Sequence, residues 1–126
     1  MRRQMVLEAT PEAATRARRF VGATVQAVGP DAGVESDIAL AVTEAVTNVI
    51  VHAYRDRPVP GRVVIETHAA PASLLLKIQD EGVGMAPRTD SPGLGLGLPL
   101  IERLSSHFDV RPGPRGGTEI CMSFCW

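Results

Sequence analysis

Three short runs of residues combine carboxylate, amide and glycine positions at spacings that could do chemistry. In the first, Glu44, Asn48 and His52 stand four apart, which places a carboxylate, an amide and an imidazole in one stripe if the segment is helical. Val42, Val46, Val49, Ile50 and Val51 surround them, so this element has little exposed surface to give to polar groups. The stripe reads as a solvated face or as a ligand-facing one. In the second run, Asp80-Glu81-Gly82-Val83-Gly84 follows a segment rich in Leu and Ile. A carboxylate at a strand's end can accept a hydrogen bond from an exocyclic amine, and Gly82 and Gly84 would let a flat ring approach the backbone. A tight turn capped by Asp80 has the same composition. In the third, Gly93, Gly95 and Gly97 alternate with leucines and enter a helical pattern at Leu98. Backbone N–H groups at such an entrance suit a chain of phosphates, and a plain linker fits equally. No Gly-Lys-Ser/Thr follows, so this is not a Walker loop, and no strand leads into it as a dinucleotide fingerprint requires.

The elements that must position these runs can be placed from periodicity and punctuation. A short strand is expected over 4–9. Thr10 and Pro11 then predict the cap and first residue of a helix running to about Val28, which Gly29-Pro30 stops. A second helix is expected after Ser36, with Ile38, Val42, Ala45, Val49 and Ala53 as its buried stripe and its end near Tyr54. Arg62 to His68 and Ser73 to Gln79 predict a hairpin, and 80–97 a glycine-rich loop. A short helix follows from Leu98, then strands over 108–111 and 118–124. Arg16, Arg18 and Arg19 decorate the first helix as a solvated face or a docking surface.

Composition narrows the function classes. The chain has 126 residues, 44% hydrophobic and only 4% aromatic, so the core must be built from Ala, Val, Leu and Ile, which suits helices laid on a sheet. One domain over 1–126 is expected. A formal charge of -1 supplies no net positive field for a polyanion, which argues against nucleic acid as a partner. Cys121 and Cys125 lack metal or redox spacing and read as small hydrophobes on one strand face. No window approaches the length of an apolar membrane span, and the expectation is a cytoplasmic protein without a membrane partner.

Together the runs are more specific than any one of them. Glu44-Ala45-Val46-Thr47-Asn48 with His52, Asp80 to Gly84, Gly93 to Gly97 and Gly116-Gly117-Thr118 resemble, in order, the motifs of the gyrase, histidine-kinase and mismatch-repair ATPase superfamily. The likeness is strongest to its small single-domain branch, the anti-sigma factor serine kinases. That resemblance implies an α+β fold, a two-layer α/β sandwich whose mixed, mostly antiparallel sheet is covered on one face by helices. It implies ATP and Mg2+ as cofactors. Asp80 would read the adenine amino group with Thr118 in support, Gly82 and Gly84 would make room for the base, and Gly93, Gly95 and Gly97 would line the phosphates. Asn48 would be the metal ligand and Glu44 the catalytic base. The implied partners are an anti-sigma antagonist protein, phosphorylated on serine, and a sigma factor, with the kinase a homodimer. The alternative is a nucleotide-gated partner-binding module without phosphotransfer. Only eight residues, Met85 to Pro92, separate the two glycine boxes, fewer than in the lid of sporulation-type kinases.

Overall fold

The computed structural model describes residues 1–83 and 98–126. Its elements are, in chain order, β1 (Arg2–Glu8), α1 (Ala13–Val28), α2 (Ala32–Asn48) continued by a π-helical segment (Val49–Ala53), β2 (Arg62–Ala70), β3 (Ser73–Asp80), α3 (Leu98–Leu104), β4 (His107–Pro112) and β5 (Thr118–Cys125). The strands form one sheet in the order β1-β2-β3-β5-β4. All four pairings are antiparallel, so the expected sheet is found without a parallel pair among its strands.

Period-two alternation fixes which side of β3 is buried. Leu74, Leu76 and Ile78 are fully buried, and the same alternation carries Asp80 inward at the strand's end. Register continues the pattern across the sheet, with Ile78 opposite Ile120 in β5 and Ile65 in β2. A one-residue slip would expose three aliphatic side chains, each worth about 1.5–3 kcal/mol when buried, and would also turn Asp80 away. The place of Asp80 is therefore held by hydrophobic burial elsewhere on its strand.

The helices cover one face. α1 packs on β1, β2 and α2, while α2 also touches α3 and β5. Ala13, Ala17, Phe20, Val21 and Val25 of α1 and Ile38, Ala41, Val42, Ala45 and Val46 of α2 meet Ile65, Leu76, Ile78 and Ile120 in the core. Small residues at the helix contacts let the two layers approach closely. On the uncovered face Glu66 is bonded to Arg2 at 2.9 Å and to His68, and Gln79 donates to Glu119 at 2.7 Å. This is the polar-out half of an antiparallel sheet. Cys121 lies there, buried against Glu119, and burial pushes its thiol up to about 11. It is thus a protonated, unreactive thiol at neutral pH. Cys125 shares its strand face but is exposed. Among the described residues no helix is long and apolar enough to cross a membrane.

Two helix starts differ from expectation. Thr10 does not cap α1; its carbonyl accepts from Ala13 N at 2.9 Å in a turn, and the helix proper begins at Ala13. α2 starts before Ser36, because the Asp31 side chain accepts from Val34 N at 2.9 Å and serves as its cap. Asp31 sits directly after the Gly29-Pro30 break, where Gly29 adopts φ 64° and closes α1 on Val25 O. That left-handed closure and the cap together make a tight helix-to-helix corner.

Candidate functional site

Asp80 is 3% exposed, yet its Oδ1 accepts two backbone hydrogen bonds, from Gly82 N at 2.9 Å and from Thr118 N at 3.3 Å. Burial pushes its carboxyl above the ordinary carboxylate range; the two amides pull the other way, and Glu81 adds to the rise. Among the described residues no hydrogen bond engages Oδ2. The turn before β5 closes over this carboxylate. Gly113 N donates to Gly117 O at 3.1 Å, and Gly117, at φ 70°, lies so close that a Cβ would stand 2.3 Å from Asp80 O and 2.5 Å from Oδ1. A side chain at position 117 would thus fail both on backbone conformation and on space.

The loop leaving Asp80 is joined to the end of the α2 run. Val83 N donates to Ala53 O at 3.0 Å, and a Cβ on Gly82 would lie 2.0 Å from that same carbonyl oxygen. Glu81 N donates to the Tyr54 hydroxyl at 2.8 Å, and Arg57 donates to Glu81 O at 3.1 Å. Arg62 pairs with Glu81 at 2.8 Å. The strand-end carboxylate and the helix carrying Glu44 and Asn48 are in this way held as one unit.

Asn48 is 4% exposed, and its Nδ2 has no hydrogen-bond partner among the described residues. Buried amides are nearly always paired, so an unmet donor here fits an oxygen-rich ligand such as a phosphate chain or its bound waters. Glu44, one turn earlier, is half-buried. The expected stripe through His52 does not continue in α-helical phase. The α-helix ends at Asn48, the π-helical segment intervenes, and Val49 N shares its donation between Ala45 O and Val46 O. Such a segment rephases the side chains that follow. Burial and the nearby Arg55 hold the His52 imidazole below its ordinary value.

Asp80, Gly82 and Thr118 are brought into direct hydrogen-bonded contact, and Glu44 and Asn48 share α2. Gly84, Gly93, Gly95 and Gly97 lie outside the described residues. Sequence reasoning gives Ala53 and Tyr54 only as the end of the second helix, does not single out Arg57, and places Gly117 in a motif without a task. One signal was available: the chain's single tyrosine stands at the end of the polar helix, shortly before Gly61 opens a strand.

This arrangement sets a buried strand-end carboxylate among close-packed glycines and joins it to a helix with a buried asparagine, in an α+β domain. Residues 7–124 match the family described as the histidine kinase-like ATPase domain. The chain belongs to that family, whose ATPase character gives ATP as the ligand class, and the buried unpaired amide and the glycine-lined carboxylate fit it. Among curated relatives, the anti-sigma F factor of Clostridium novyi (strain NT) is 31% identical over 117 residues, covering 84% of this chain and 81% of that one. The anti-sigma F factor of Shouchella clausii (strain KSM-K16) is 31% identical over 127 residues, covering 92% and 86%. A solved structure of the RsbU and RsbW domains of a Mycobacterium tuberculosis protein superposes with a TM-score of 0.76 at 23% identity, over 99% of this chain and 32% of that chain. The histidine kinase domain of a blue-light activated kinase from Erythrobacter litoralis gives 0.60 at 22%, over 94% and 64%. At these identities the two structures speak for the fold, and this chain spans only part of each.

Proposed function

We propose that this chain, as one domain over 1–126, is an ATP- and Mg2+-dependent protein serine kinase of the anti-sigma type. It would phosphorylate a small antagonist protein and, in the other arm of its switch, hold a sigma factor inactive, acting in the cytoplasm as a homodimer. The observation that carries the reading is the Asp80 carboxylate, held by the Gly82 and Thr118 amides and linked through Ala53 and Tyr54 to the helix bearing Glu44 and Asn48. Similarity to anti-sigma F factors over more than four-fifths of the chain supports the partner class.

The residues divide the work by chemistry. Asp80 accepts a hydrogen bond from the adenine amino group, supported by Thr118, and Gly84 leaves the base room, whereas Gly82, expected to do the same, instead lets the loop close on Ala53 O. Gly93, Gly95 and Gly97 offer backbone donors to the phosphates. Asn48 would hold a magnesium ion through its side-chain oxygen, and a bound magnesium ion would supply positive charge to the phosphates. Glu44 takes the proton from the attacking serine hydroxyl at its carboxylate. Placing the metal ligand and the base one turn apart on one helix lets both reach a single phosphate from a rigid surface.

Incubating the purified chain with γ-labelled ATP, magnesium and candidate antagonist proteins tests the proposal. Label on a partner serine is the expected result. Nucleotide binding without transfer to any of them would replace the kinase by a nucleotide-gated binding module, and no ATP binding at all would remove both.

A further inference from the structure

Tyr54 is placed to do more than fill space. Its residue is 5% exposed, and its hydroxyl makes two hydrogen bonds at once, accepting from Glu81 N at 2.8 Å and donating to Arg62 O. The ring occupies the room where a side chain on Gly61 would be, since a Cβ there would lie 2.1 Å from the ring carbon Cε1. The Arg57 guanidinium sits 5.2 Å from the ring centroid and also donates to Glu81 O. Both backbone groups of Glu81 are therefore clamped from the region that follows the π-helical segment. Glu81 is the residue between Asp80 and Gly82, and its peptide sets the direction in which the Asp80 backbone leaves β3.

We infer that Tyr54 is a positioning residue for nucleotide recognition: its hydroxyl sets the 80–82 backbone so that the Asp80 carboxylate faces the base. The inference rests on the reading of Asp80 as the adenine acceptor. The phenol is suited to the task because one oxygen can accept from Glu81 and donate to Arg62, bridging the loop after β3 to the first residue of β2. Asp80 already has Oδ1 committed to the Gly82 and Thr118 amides. A small rotation of the Asp80–Glu81 peptide, whose N–H Tyr54 holds, would carry the following peptide and its Gly82 donor with it, and so change the direction of the remaining oxygen. The π-helical segment has a part in this as well, because it delivers Ala53 O to Val83 N and the next residue, Tyr54, to Glu81 N. Segments of this kind recur where a helix must present a residue out of its regular phase.

The test compares Tyr54→Phe with the unmodified chain in calorimetric titrations with ATP and with inosine triphosphate, which lacks the exocyclic amine. The variant keeps the ring and removes only the oxygen. ATP affinity is expected to fall about 3- to 10-fold, the span of one neutral hydrogen bond, and the preference for ATP over inosine triphosphate by a similar factor. A purely structural role would lower the fraction of folded protein but leave that ratio unchanged, since both affinities are read on one preparation. An unchanged ratio overturns the inference while leaving the proposed function standing; absence of ATP binding by the unmodified chain overturns the function itself. Amide hydrogen exchange on the unmodified chain gives a second reading that needs no variant. Slow exchange of the Glu81 amide is expected, and unprotected exchange would overturn the clamp.

Discussion

Replacing Gly117 by alanine should cost the protein both stability and nucleotide affinity, and its neighbour supplies the control. Gly116 and Gly117 both have left-handed backbones, at φ 85° and 70°, so alanine at either position loses about 1–2 kcal/mol on conformation alone. At Gly116 the added methyl meets nothing within 4 Å. At Gly117 it would stand 2.3 Å from Asp80 O and 2.5 Å from Oδ1, well inside contact distance. Forcing that methyl in adds about 1–3 kcal/mol of overpacking. It also disturbs the Thr118 N to Asp80 Oδ1 bond, drawn at 3.3 Å; a bond to a charged group is worth about 1.5–3 kcal/mol. Gly117→Ala is therefore expected to lose about 2–4 kcal/mol more than Gly116→Ala in urea unfolding, with unchanged denaturant slope. With the shared conformational cost the total for Gly117→Ala is about 3–6 kcal/mol, against about 5–15 kcal/mol for an ordinary domain, so ATP binding is titrated on each variant and scaled to the folded fraction that its urea curve gives. Gly116→Ala should bind nearly as the unmodified chain does, and Gly117→Ala more than about tenfold more weakly, the equivalent of about 1.4 kcal/mol. Equal destabilisation by the two substitutions, or full ATP affinity in Gly117→Ala, would refute the idea that the turn before β5 closes on the Asp80 carboxylate.

Other expectations follow from the same site and from the uncovered sheet face. Asp80→Asn should stabilise the nucleotide-free protein at neutral pH. A carboxyl whose folded pKa lies above its ordinary 3.8 contributes stability below that value, and loses it as pH rises through the folded pKa. The same variant should lose its preference for ATP over GTP; a melting temperature below that of the unmodified chain at neutral pH would contradict the burial argument. Asn48→Ala should leave apo stability within about 1 kcal/mol, because the amide it removes has an unmet donor, yet abolish magnesium-dependent ATP binding in calorimetry. Glu44→Ala should bind ATP normally and fail to label the partner serine, and normal labelling would take Glu44 out of the mechanism. Glu66 is held below its ordinary 4.5, first by the His68 hydrogen bond and further by Arg2. Its contribution is present above 4.5 and lost as pH falls through the folded pKa. Thermal melts of Glu66→Gln on acidification should be flatter than those of the unmodified chain, and parallel curves would count against the pairing.

Much of the fold could be read from the chain because its patterns are local. The alternation Leu74, Leu76, Ile78 marks β3 without reference to anything else, and the buried stripe Ile38, Val42, Ala45, Val49 and Ala53 is recovered in full. The helix starts were less legible. Both Asp31 and Ser36 are good caps, and only the corner made by Gly29 in its left-handed conformation selects the earlier one. The stripe Glu44, Asn48, His52 was extrapolated at a constant 3.6 residues per turn, and the π-helical segment after Asn48 breaks that assumption. Nothing in the composition of Val49 to Ala53 announces such a segment.

For the candidate site, residue types and their order along the chain mark Asp80, Gly82, Asn48 and Glu44 as candidates, because carboxylates, amides and glycines advertise their chemistry wherever they stand. What surrounds them was decided by the tertiary structure. That Asp80 is desolvated and doubly hydrogen-bonded, that Gly117 presses on it from a turn 37 residues further along, and that Tyr54 ties its loop to α2, all depend on antiparallel register and helix packing. Those arrangements join residues distant in the chain through burial and hydrogen bonds that exist only once the sheet and its helical layer have closed on each other.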